Sequence, residues 1–97
     1  MRSVELAIYA DTLAGEAASL AARAERTRSR LGQAAIEKRA LAELSGTAVE
    51  RLEGLGLLRT IDERALRAEL RELAAALDAL EELQAWVEGQ LAAANAA

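Results

Sequence analysis

The sequence predicts an all-α fold: a long antiparallel helical hairpin with a short connector helix, dimerising into a four-helix bundle. Three observations predict it. Proline is absent and the aromatics are reduced to Tyr9 and Trp86, while Ala, Leu, Glu and Arg dominate; these are strong helix formers with little liking for strands. Two long stretches carry apolar seams at alternating steps of four and three, a spacing that puts side chains in one stripe along a helix and calls for a facing helix. Composition shifts only at a mid-chain segment rich in glycine, where a hairpin would turn.

The first helix is expected over about residues 4–45. Ser3 suits its N-cap, and Glu5 lies in the first turn near the positive end of the helix dipole. Its seam runs through Leu6, Ala10, Leu13, Ala17, Leu20, Ala24, Thr27, Leu31, Ala34 and Leu41. Ser45-Gly46 reads as the stop signal. Gly32 interrupts the pattern at a cost of about 1 kcal/mol against alanine. A kink is therefore expected near Gly32, with Ile36, Ala40 and Leu44 forming a new apolar stripe beyond it.

The connector spans 46–59. Thr47-Ala-Val-Glu50 and Thr60-Ile-Asp-Glu63 both fit the capping box, a hydroxyl at the N-cap answered by Glu three residues later. The first would open a short helix ending at Gly54 or Gly56, and the second the final helix over about 61–93. Between them, Leu55, Leu57 and Leu58 are expected to plug the end of the bundle. The final helix has its seam at Leu66, Leu70, Leu73, Leu77, Leu80, Val87 and Leu91, interrupted by Gln84. Residues 1–97 thus read as a single helical domain.

Each helix carries more than its hairpin seam. In the first, Glu5, Tyr9, Thr12, Glu16, Ser19, Arg23, Arg26, Arg30, Gln33 and Glu37 make one polar stripe, and most of the remaining surface of residues 4–24 is alanine, valine or isoleucine. A helix with one narrow wet stripe touches more than one neighbour. In the second, Ala76, Ala79, Leu83 and Trp86 form an additional stripe, the candidate partner interface. Trp86 is its natural anchor, since buried tryptophans carry disproportionate interface energy. A chain this short, with many apolar side chains no larger than a methyl group, builds a marginal core, for which self-association or a partner is the usual remedy.

Formal net charge is -4, unevenly spread. Residues 23–39 hold Arg23, Arg26, Arg28, Arg30, Lys38 and Arg39 against Glu25 and Glu37, whereas residues 72–88 hold Glu72, Asp78, Glu81, Glu82 and Glu88 and nothing basic. Folding at the glycine segment is expected to lay these stretches side by side and pair their charges.

The residue inventory points away from catalysis. With no Cys and no His, disulfides, thiolate nucleophiles, imidazole bases and most zinc sites are excluded. Glu81-Glu82 and Asp62-Glu63 are sequence neighbours, which point in different directions on a helix. Gly54-Leu-Gly56 lacks the lysine, the serine and the preceding strand of a phosphate loop. No cofactor and no metal is expected. No apolar run approaches the roughly 20 residues of a membrane span, and no signal peptide is visible. A cytoplasmic location is expected, although leaderless export would leave no such mark.

Arg23, Arg26 and Arg30 share the polar stripe and form a candidate anion-binding group, since guanidinium suits phosphate. The surrounding Glu25-x3-Ser29-x3-Gln33-x3-Glu37 resembles the helical cyclic-di-GMP motif of an actinobacterial anti-sigma factor, without that motif's arginine at its spacing. The resemblance implies a nucleotide-binding helical regulator. Leu44-Ser45-Gly46 sits at mid-chain where the WXG100 family, secreted helical-hairpin partners of type VII export, has Trp-x-Gly. Trp86-x-x-x-Gln90 is the nearest approach to that family's C-terminal Tyr-x-x-x-Asp/Glu signal. This resemblance implies a secreted hairpin partner. Residues 40–58 look like the helix-turn-helix region of winged-helix regulators, but Glu50 and Glu53 against one Arg51 would repel phosphate, so DNA is not an expected partner. The leading expectation is a non-enzymatic interaction, adaptor or regulatory module. It would act by coiled-coil-like self-association and by docking, as a homodimer or on a helical protein.

Overall fold

In a computed structural model, residues 3–58 and 61–96 are described, and they form three helices and no strand: α1 (Ser3–Glu43), α2 (Gly46–Gly54) and α3 (Glu63–Ala96). α1 and α3 run antiparallel. Leu6 and Leu13, early in α1, bury against Val87, late in α3, with Ala10, Leu80 and Leu91 packed around them. Midway, Arg23 reaches Glu69. At the turn, Ala34 and Leu41 line one depression with Ile61 at the entry to α3. The result is a rod measuring 74 × 19 × 15 Å.

The seams explain the pairing. Every residue of the α1 seam, from Leu6 to Leu41, is buried or half-buried. So is every α3 position from Leu66 to Leu91 at steps of four and three, Gln84 included. Thr27 sits fully inside this seam because its hydroxyl donates to the carbonyl of Arg23 at 3.0 Å. Its polar atom is satisfied by its own helix, at no cost to the facing one.

The stripe does not change at Gly32. α1 passes through that residue as one helix, and the face toward α3 continues through Ala34 and Leu41, leaving Ile36, Ala40 and Leu44 exposed, Ile36 by 71%. A side chain built on Gly32 would meet nothing within 4 Å. The glycine lies on open surface, so its low propensity is offset by seam contacts on the opposite side of the helix.

Ser3, the N-cap expected for α1, already lies within that helix, and both predicted capping boxes are displaced. Ser45 is the N-cap of α2, its hydroxyl accepting from the Ala48 N–H at 3.2 Å. Thr47 therefore lies inside α2, and Ser45-Gly46 opens that helix; α1 ends at Glu43. At α3 the cap is Asp62, whose Oδ1 accepts from the Ala65 N–H at 3.1 Å. The predicted Thr60 lies outside the described residues. A carboxylate at this position also complements the positive end of the helix dipole. α3 then begins at Glu63 and runs to Ala96, beyond the expected 93.

α2 ends in a Schellman motif. Gly56, at φ +67°, supplies the left-handed residue, its N–H reaching the Glu53 carbonyl while that of Leu57 reaches Leu52. α2 shares no extended interface with either long helix. Leu55 and Leu57 consequently remain 66% and 63% exposed and do not plug the bundle end; only Leu58 of the three is half-buried. A nine-residue helix held away from the seam by short joints cannot fold its leucines back over it.

Candidate interaction surface

One long face of the hairpin combines the extra stripes of both helices. Seven-residue steps place Tyr9, Glu16, Arg23, Arg30 and Glu37 along one edge of α1, and Glu69, Ala76, Leu83 and Gln90 along one edge of α3. These edges border each other. Arg23 Nη2 lies 3.6 Å from Glu69 Oε1, and Glu16 and Leu20 line a groove with Ala76, Ala79, Leu80 and Leu83.

The groove is apolar, occupies about 420 Å³ and is open to solvent along the rod. Of the candidate interface residues, it brings Ala76, Ala79 and Leu83 together. Trp86 extends their stripe by one turn and is 50% exposed, against 36% for Leu83. Its neighbour Val87 is 1% exposed. Trp86 is thus outside the hairpin core and half-exposed. A second apolar depression, of about 470 Å³, is formed at the turn by Leu44, Leu52 and Leu55 with Ser45, Thr47, Ala48 and Arg51. Sequence reasoning missed it by assigning leucines of this segment to a plug.

The antiparallel register also overturns the expected charge pairing. It sets the basic stretch 23–39 across from the start of α3, and the acidic stretch 72–88 across from residues 5–21, which carry Glu5, Asp11 and Glu16. Arg23–Glu69 is the one ion pair joining the two long helices among the described residues; Arg28–Glu25 at 2.6 Å and Arg67–Glu63 at 3.2 Å lie within single helices. The two stretches do not pair, because both lie toward the C-terminal ends of helices that run antiparallel.

The rod is electrically polarised as a result. Its open half, residues 3–21 and 72–96, holds Glu5, Asp11, Glu16, Glu72, Asp78, Glu81, Glu82 and Glu88 and no Lys or Arg. The turn half, residues 22–71, holds eleven of the chain's 12 Lys and Arg together with eight Asp and Glu. The groove lies in the acidic half.

The arginine cluster lies on the same face, toward the turn. Arg23, Arg26 and Arg30 line a depression of about 250 Å³ together with Thr27 and Glu69. Arg23 is already engaged by Glu69, whose carboxylate stands in the wall that an anion would occupy. Glu25, first residue of the cyclic-di-GMP-like pattern, is bonded to Arg28. No group of three or more carboxylates placed to hold a metal ion occurs among the described residues, and no described helix is long and apolar enough to cross a membrane.

Comparison with known proteins adds no name to this surface. No protein family matches the chain, and no characterised protein or solved structure is significantly similar to it.

Proposed function

We propose that this protein is a non-enzymatic helical interaction module, which acts by docking another helix into the groove between α1 and α3. The observation carrying this reading is the apolar groove of Leu20, Ala76, Ala79, Leu80 and Leu83, with Trp86 half-exposed three residues further along α3. The alanines allow a helix axis to approach closely, toward the short end of the usual 8–10 Å. Leu83 and Trp86 supply anchors, in the manner of helix-in-groove recognition.

The exposed area supports the same conclusion. A compact monomer of 10.3 kDa exposes about 5,400 Å², whereas this chain exposes 7291 Å². The surplus exceeds the roughly 800 Å² that each partner of a standard-sized interface buries. A homodimeric four-helix bundle or a complex with another helical protein would cover it. The hairpin shape also suits a WXG100-like partner, whose docking would be of the same kind. A nucleotide- or anion-binding regulator is the weaker reading, because Glu69 stands within the arginine cluster.

The test is Leu83→Glu, at a position outside the buried core. Circular dichroism should report unchanged helicity. Association should be lost, read both as solution mass by light scattering and as the fluorescence of Trp86, the only tryptophan, on titration with a tryptophan-free helical peptide bearing a leucine–alanine seam. Unaltered association in the variant, or a wild-type chain that neither self-associates nor takes the peptide, refutes the docking reading.

A further inference from the structure

We infer that the occupant of the groove is a second copy of this chain, docked antiparallel so that the acidic open end of each hairpin covers the basic turn end of the other. This deepens the docking reading above and rests on it. A twofold dimer presents the same patch from both subunits, so its interface must be complementary to itself. The face holding the groove meets that condition in one orientation only. Glu16 and the groove lie toward one end, and Arg26 and Arg30 toward the other. An antiparallel pair sets each acidic half over a turn half that holds eleven Lys and Arg against eight Asp and Glu. A parallel pair would instead stack the two open halves, each with eight carboxylates and no Lys or Arg among its described residues, and like charges brought together oppose association.

The register follows from helix geometry. With the twofold axis near the Arg23–Glu69 pair, Glu16 lies seven residues to one side of Arg23 and Arg30 seven to the other. Each Glu16 then falls opposite Arg30 of the second copy, twice per dimer. By the same mirroring, Leu83 and Trp86 reach the level of Glu37 in the second copy. There Glu37, Lys38 and Glu63 line a depression of about 190 Å³ together with Ala34, Leu41 and Ile61. Within one chain, Glu16 and Arg30 are 14 residues apart, about 21 Å at 1.5 Å per residue, and can make no contact with each other.

That distance makes a charge swap decisive. Glu16 and Arg30 are exposed and take part in none of the ion pairs of the described residues. Dimer dissociation constants would be measured on the full chain by analytical ultracentrifugation for wild type, Glu16→Arg, Arg30→Glu and the double variant. Each single change should weaken the dimer by about tenfold or more, the scale of a close interfacial charge pair, and the double variant should return to within about threefold of wild type. Raising the salt should weaken wild type and double variant alike. A double variant at least as weak as either single one overturns the antiparallel arrangement. A wild-type chain that stays monomeric overturns self-pairing. If Trp86 then still reports peptide binding that Leu83→Glu abolishes, the docking reading stands and this inference alone falls; if it does not, both fall.

Discussion

Val87 and Trp86 are adjacent in sequence, yet their truncations should have opposite signatures. Val87 is 1% exposed and closes the cluster with Leu6 and Leu13. Val87→Ala removes two carbons from a site sealed to water, at about 0.8 kcal/mol each plus a cavity term. The better helix propensity of alanine offsets about 0.5 kcal/mol of this. The net loss should be about 1.5–2 kcal/mol, which for a domain of this size lowers Tm by roughly 10 °C. Trp86→Ala deletes a larger side chain, but one that is 50% exposed and outside the cluster. Its cost to the isolated hairpin should stay below about 1 kcal/mol. Urea unfolding followed by circular dichroism, repeated across a dilution series, separates the two. The loss from Val87→Ala should persist at every concentration, whereas any loss from Trp86→Ala should shrink on dilution as association itself disappears. If Trp86→Ala were the costlier change at high dilution, α3 would be rotated by about 100°, one residue's turn, and the assignment of core and docking faces would be wrong.

Thr27→Val should leave stability unchanged or raise it by up to about 1 kcal/mol, because the hydroxyl bonds only to its own helix while the side chain is buried; a clear loss in chemical denaturation would mean that the hydroxyl serves a group across the seam. Gly56→Ala places a Cβ on a residue at φ +67°, a strain of about 1–2 kcal/mol. Since α2 shares no extended interface with the long helices, hydrogen exchange should quicken within α2 while the global Tm holds, and a Tm that fell by the full strain would show α2 to be part of the cooperative unit. Inorganic phosphate and cyclic dinucleotides should leave Tm unmoved, given Glu69 in the arginine cluster; an upward shift abolished by Arg26→Ala would reinstate that cluster as a binding site.

The seams were legible because burial imposes a period, and the period is written in residue type. Leu6, Leu13, Leu66 and Leu73 needed only the rule of fours and threes to be placed on the buried faces. Thr27 and Gln84 broke the letter of that rule and still lie along the seam, since a position on a stripe is set by geometry and a polar side chain there needs only a local partner. The caps were harder. Thr47 and Thr60 each had the right acid three residues on, but Ser45 and Asp62, two residues to one side or the other, offer equivalent oxygens. Which oxygen caps the helix depends on where the chain leaves the turn, and that is a tertiary decision. The leucines at the turn were misplaced for a related reason. Apolar composition says that a residue prefers burial, and says nothing about whether a short helix on tight joints can bring it to the core.

Charge shows most clearly what register adds to composition. A basic stretch on one helix and an acidic stretch on the next invite the conclusion that they pair, and for helices running side by side in the same direction they would. Here the chain turns back, so each helix meets its neighbour in reverse order, and residues 72–88 return alongside residues 5–21 instead of 23–39. Eight of the sixteen carboxylates gather in the open half with no Lys or Arg among its described residues, while eleven of the twelve cations sit in the turn half of the 74 Å rod beside the other eight carboxylates. Internal pairing would have left a surface indifferent to orientation. Separation leaves one that distinguishes head from tail, on the face where Leu83 and Trp86 remain uncovered. The apolar groove then supplies the affinity of a docking event, and the polarity of the rod decides which way round it occurs.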